Sequence, residues 1–273
     1  MNELLLRAKF VWEYATHLQT DADPPIELIF KFVNTLDKKD TKVHIKNFDK
    51  LPVAKKIYDE EVSFLTKVSN QEFQKGTFGH EFKKWYGNDN KMIDLFSISL
   101  NPFRQGRNKN TKFNKYAEAT MLEHDLIHFV NGYNTSPVGE ICVLSFNLAK
   151  EWRKSYATIL FASFLMAIRN TFKPSKYPKG ISLKNKIMLA PAYVFIRLVI
   201  EGYLRGKRSK WFLAVDWDSY LDLPMDKLKK DLKLFDKPKY WNKILPYVLI
   251  MNRHYNQYAR KKENKRKRQN NMA

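Results

Sequence analysis

Glycine is scarce in this chain. Nine occur among 273 residues, about 3% where soluble proteins carry ~7%. Few turn-makers together with many lysines, leucines and phenylalanines argue for helices over a many-stranded sandwich. Apolar residues make up 44% of the chain and aromatic ones 14%, which excludes a wholly disordered polymer. A chain of this length forms one large domain or two small ones, and it is long enough to close a core. No internal repeat or linker divides it. The expected architecture is all-α: a single helical domain over residues 1–258 and a separate tail over 259–273.

The single cysteine, Cys142, excludes an internal disulfide and any cysteine-rich zinc module, and it fits a reducing compartment. It lies in an apolar run, ICVL, and reads as buried packing. There are 49 basic and 28 acidic side chains, giving a net charge of +21. Residues 260–268, RKKENKRKR, hold +6 of it and the body the other +15. Such a run repels itself and is expected to stay unfolded. It suits nucleic acid or anionic headgroups, or serves solubility alone. The N-terminal stretch carries Glu3, Glu13, Asp21 and Asp23, unlike a secretory signal or a mitochondrial presequence. The expectation is a bacterial cytoplasmic protein, or a mature chain already trimmed.

Periodicity places helices over residues 2–19 and 25–36, an irregular lysine-rich connection over 37–56, and a helix-like stretch over 57–68. Phe78, Phe82 and Trp85/Tyr86 recur at helical spacing within 76–87. Residues 100–113 read as a loop. A helix over 115–130 ends at Gly132 as at a C-cap, and the next runs over 140–154. Residues 156–168 are apolar all round but too short for a bilayer, which needs ~20. The run over 187–204 is broken by Pro191, Arg197 and Glu201. Arg197 and Glu201 stand four apart and are expected to pair. Both runs read as core helices or as the walls of an apolar cavity. Residues 214–232 suggest a strand or turn, then a helix from Pro224.

The pattern that carries chemistry is His124-Asp125-Leu126-Ile127-His128. On a helix the two histidines lie one turn apart, and Asp125 is rotated far enough to share their cleft. Eleven residues separate His128 from Glu140, which stands past a glycine-bounded loop. A hairpin would return it to the histidine face. Two imidazoles and two carboxylates suit zinc, iron(II) or manganese. A core histidine pair or a solvated face would give the same spacing. Leu126 and Ile127 argue that the helix is half buried, where histidines and an aspartate without partners are costly. His80-Glu81 lacks a second histidine at zincin spacing and supports no protease.

HDLIH followed by Glu140 within GYNTSPVGE resembles the HDxxH-x11-E metal motif of the coenzyme Q biosynthesis protein four family. GTFGHEFKKW is similar to that family's Gly-Thr-x-Gly segment. GYLRGKRSKWFLAVDWDSYLDLPMDKLKKDL is similar to its closing pattern, so the resemblance spans about residues 70–235. It implies an all-helical protein that binds zinc, or alternatively iron(II) or manganese, through His124, Asp125, His128 and Glu140. It further implies ubiquinone biosynthesis by metal-dependent, oxidative decarboxylation of a polyprenylated hydroxybenzoate, with catalysis carried by the same four residues through the metal. The partners implied are the prenylated quinone precursor, other quinone-biosynthesis enzymes, a membrane surface and a second copy of the chain, with no nucleic acid. The implied location is the cytoplasmic side of a bacterial inner membrane, or the matrix side in a mitochondrion. Arg205, Lys207, Arg208 and Lys210 would meet headgroups or a substrate anion, or form a plain solvated turn. Residues 156–168 and 187–200 would line a prenyl conduit, or pack as ordinary core. The competing reading is a non-catalytic prenyl-lipid-binding organiser with a structural metal. Four protein ligands on tetrahedral zinc make a closed site, whereas catalysis needs an open position.

Overall fold

The computed structural model describes residues 5–11, 13, 41–88, 112–172, 190–234 and 236–246. Short helices α1 (Thr41–Phe48), α2 (Pro52–Asp59) and α3 (Phe64–Asn70) lead into α4 (Phe78–Asn88). Four longer helices follow: α5 (Lys112–Asn131), α6 (Pro137–Leu148), α7 (Lys154–Phe172) and α8 (Pro191–Arg208). Two 3-10 turns, Phe212–Ala214 and Trp217–Tyr220, precede α9 (Met225–Asp231), and residues 239–246 are again helical. No strand occurs among the described residues, and the one isolated bridge pairs Thr77 with Pro224. The all-α expectation is met.

The lysine-rich stretch read as irregular holds two helices. In α1 only His44 and Phe48 are buried, four residues apart, and the lysines form the wet side. Pro52, read as punctuation, starts α2, where a proline loses no hydrogen bond. The helix-like stretch that follows is broken at residues 60–63, and Ser63 caps α3 by accepting the Thr66 N–H. The helix expected over 140–154 stops at Leu148, and a new one begins at Lys154. Pro191 likewise opens α8 rather than interrupting it. Before α9 there are 3-10 turns and no strand. The helix expected over 25–36, the loop up to residue 111 and the tail over 259–273 lie outside the described residues.

Aromatic rings fill the core between α4, α5 and the 3-10 turns. Phe78 and Phe82 stack at 5.7 Å, Phe82 meets Phe129 at 5.3 Å, and Phe78 meets Trp217 at 5.7 Å. On the other side α8 lies directly on α6. A Cβ on Gly202 would stand 2.5 Å from the Cys142 carbonyl oxygen, and one on Gly206 2.3 Å from that of Phe146. Only glycine permits this approach. Helices α7 and α8 run antiparallel. At one end Thr171 Oγ1 accepts the Ala192 N–H at 3.0 Å, and at the other Lys150 Nζ donates to the carbonyl of Ser209. These two helices are only half core. Ile159, Leu160, Ala162, Phe195 and Leu198 are buried, but Phe161, Leu165, Ile196 and Ile200 stand exposed. That limits the reading of both runs as core helices to one face of each. Arg197 and Glu201 also take separate partners. Glu201 accepts the Tyr240 and Trp241 N–H groups at 2.7 and 2.8 Å, and Arg197 lies over the Tyr240 ring.

Candidate metal centre

The site is a helix hairpin, and local sequence explains each part of it. Helix α5 ends at Gly132, whose φ of 70° is left-handed, as a C-terminal cap requires. The Tyr133 N–H then donates back to the His128 carbonyl at 3.0 Å. Ser136 caps α6 by accepting the Gly139 N–H, with Pro137 in the first turn. Gly139 passes so close to Asn134 that a Cβ would meet its carbonyl oxygen at 1.8 Å. This tight return sets Glu140, in the first turn of α6, against the last two turns of α5. A helix N-terminus also favours a carboxylate.

His124, His128 and Glu140 each bring a ligand atom into one group, all within 4.8 Å of one another. His124 Nε2 lies 2.9 Å from Glu140 Oε2, and His128 Nε2 lies 3.1 Å from Glu140 Oε1. The imidazole rings are 4.8 Å apart, edge to face. His128 is fully buried, while His124 and Glu140 keep 31% of their side-chain surface, so the group is open on one side. Asp125, expected as a fourth member, stands apart from the three. It is buried, and its Oδ1 lies 3.3 Å from His124 Nδ1. A carboxylate in that position orients a histidine for a metal on its other nitrogen.

Burial opposes charge on His124, but Glu140 and Asp125 on either side outweigh it and raise its pKa to about 10. Burial would likewise raise the Glu140 carboxyl, yet the two histidines hold it well below its ordinary value. For Asp125 burial dominates and the pKa is raised.

The donor set fits a divalent metal, and two orphaned atoms say so. His128 Nδ1 donates to the Tyr133 carbonyl at 3.3 Å, so Nε2 is the nitrogen of that ring left to face a metal. That Nε2 sits at ion-pair distance from Glu140 Oε1 but at the wrong angle for a hydrogen bond, and it has no hydrogen-bond partner. Asp125 Oδ2 is likewise buried and unpartnered. A buried ring nitrogen facing a carboxylate without a hydrogen bond is costly unless a proton or a metal ion bridges the two.

Residues to which local sequence gave no supporting part in the hairpin hold this arrangement. Trp241 Nε1 donates to the Gly132 carbonyl at 2.9 Å, and the Trp241 ring packs edge-on against Tyr133 at 5.5 Å. Glu201 holds the backbone of that tryptophan. Arg205, expected at a headgroup or substrate anion, is 4% exposed and structural instead. Its Nε donates to Asn131 Oδ1 at 2.8 Å and its Nη1 to the Asp236 carbonyl at 2.9 Å. Lys207, Arg208 and Lys210 are exposed, and Arg208 pairs with Asp236. Cys142 is buried, as its apolar run suggested.

No family model matches the chain, and no curated protein does. Among solved structures it is similar to a Nostoc punctiforme PCC 73102 protein whose name proposes a role in ubiquinone biosynthesis. The two share 16% identity and a TM-score of 0.53, over 86% of this chain and 97% of the other. At that identity the likeness establishes a shared fold.

Proposed function

We propose that this chain is a metal-dependent protein of quinone biosynthesis that decarboxylates a polyprenylated hydroxybenzoate ring. The observation that carries the metal is the convergence of His124, His128 and Glu140 ligand atoms within 4.8 Å, with the buried His128 Nε2 lacking a hydrogen-bond partner. His124, His128 and Glu140 would hold the ion, with Asp125 behind His124. The substrate class rests on the motif resemblance together with the fold shared with the Nostoc protein. A bound divalent ion would supply a Lewis acid for the carboxylate and phenolic oxygens of the ring. In the simple reaction the carbon–carbon bond breaks, carbon dioxide leaves, and the electron pair stays on the ring carbon, which takes a proton. The oxidative variant leaves a hydroxyl on that carbon and requires a two-electron oxidant such as dioxygen.

The chain's own contribution is positional. The Tyr133 carbonyl holds the proton of His128 on Nδ1, and Asp125 Oδ1 meets Nδ1 of His124. The partly exposed side of His124 and Glu140 is where a ring carboxylate would enter. The second reading is a prenyl-lipid-binding organiser with a structural metal. Incubating the metal-loaded chain with a prenylated hydroxybenzoate, with and without dioxygen, separates the two. Ring product and carbon dioxide are expected. Recovery of bound, unchanged substrate would favour the organiser.

A further inference from the structure

A buried acceptor and a free donor stand on facing helices beside the metal centre. Asp125 is fully buried and offers Oδ1 to His124 Nδ1 at 3.3 Å, while its Oδ2 has no hydrogen-bond partner. A carboxylate oxygen buried without a donor is costly. Helix geometry shows which way this one faces. On α5 Asp125 follows His124 by ~100° and stands one turn before Phe129. It therefore lies between the histidines, which face Glu140 of α6, and Phe129, which faces α4.

Helix α4 closes that side with rings. Phe82 and Trp85 meet Phe129 at 5.3 and 5.6 Å. Tyr86 stands one turn beyond Phe82, with its ring 5.9 Å from that of Phe82, and is half-buried. Burial raises the pKa of its phenol, and the charge of Asp125 raises it further. Tyr86 and Asp125 thus share one side of the Phe82–Phe129 contact. The Tyr86 hydroxyl has no hydrogen-bond partner among the described residues.

We propose that Tyr86 is a positioning residue of the metal centre, whose hydroxyl donates to Asp125 Oδ2 when an ion is bound. An ion on His124 Nε2 requires the proton of that ring to stay on Nδ1, donated to Asp125 Oδ1. A second donor, on Oδ2, holds the plane of the carboxylate and through it the direction of the imidazole. A tyrosine suits this task, since its rigid ring packs on Phe82 and carries the donor at its far end. Phenylalanine at this position would keep the packing and leave Oδ2 bare. The role rests on the metal reading of the site and is independent of the ring substrate.

The test is the zinc affinity of the full chain, read by competition with a chelator at one fixed pH. Native chain, Tyr86→Phe, Asp125→Asn and the double variant are compared, each checked for an unchanged melting temperature. Tyr86→Phe should weaken binding about fivefold to tenfold. In the Asp125→Asn background the same change should cost less than about twofold, because the carboxylate it serves has gone. The Nδ1–H proton resonance of His124 in the zinc-loaded chain should move in Tyr86→Phe while that of His128 stays. That resonance decides the matter if the Asp125 variants fail to fold. Native affinity with an unmoved His124 resonance, or an equal loss with and without the Asp125 carboxylate, would reduce Tyr86 to packing. Either result would overturn the proposal and leave the metal centre standing. A native chain that takes up no metal, after loading with zinc, iron(II) or manganese, would overturn the metal reading and this role together.

Discussion

His128 shows how a backbone turn can choose the chemistry of a side chain. The Tyr133 N–H completes the helix cap on the His128 carbonyl, and the Tyr133 carbonyl takes the ring proton at Nδ1. One turn thus ends the helix and frees Nε2. His124 is held differently, between Asp125 and Glu140, with a pKa raised to about 10. In the metal-free protein it therefore carries a proton at neutral pH, and an incoming divalent ion must displace it. Affinity for zinc or manganese should accordingly rise about tenfold per pH unit between pH 6 and 8 for one displaced proton, as read by competition with a chelator. A pH-independent affinity would contradict this account of His124. The sign for stability is the opposite. A histidine with a raised folded pKa stabilises the metal-free chain below its ordinary pKa, and that contribution is lost as the pH climbs through about 10. The histidine spacing and Glu140 were legible because a helix repeat and a short hairpin are local. Tyr133 acts through its carbonyl, an atom every residue has, so nothing in its identity announced the role.

Three elements meet at the end of α5. Arg205 of α8 reaches Asn131, Glu201 of α8 caps the helix over residues 239–246, and Trp241 in that helix reaches Gly132. The turn that fixes His128 is therefore anchored from outside the hairpin. Trp241→Phe keeps most of the packing and removes the N–H. It should weaken metal binding about fivefold to tenfold, one hydrogen bond of ~1 kcal/mol or slightly more, and mix the His128 tautomers seen in nitrogen-15 spectra. An unchanged tautomer and affinity would reduce Trp241 to packing alone. Sequence could not reveal this relay, because its partners lie far apart in the chain, 109 residues for Trp241 and Gly132, 74 for Arg205 and Asn131 and 40 for Trp241 and Glu201. For the same reason Arg205 was legible only as one cation in a basic turn. The misreading of α1 and α2 has a different cause. In α1 two buried residues, His44 and Phe48, suffice to seat an eight-residue helix, and the lysines around them hid that stripe.

Across the whole molecule, scarce glycine and abundant apolar residues were enough to indicate an all-helical chain, and the order of helices from α4 to α9 follows the periodicity closely. What composition left open was which apolar surface is interior. Half of α7 and α8 faces outward, a fact that depends on where α6 sits and so on Gly202 and Gly206. Those glycines place α8 between the exposed apolar face and the helix that carries Glu140, so that face and the candidate metal site lie on opposite sides of one helix. The central claim remains the ion. Elemental mass spectrometry of the purified chain, compared with His128→Ala and Glu140→Ala, tests it most directly. The account predicts about one zinc, iron or manganese per native chain, lost from both variants while each stays folded. No metal in the native chain after loading, or full retention in both variants, would contradict it.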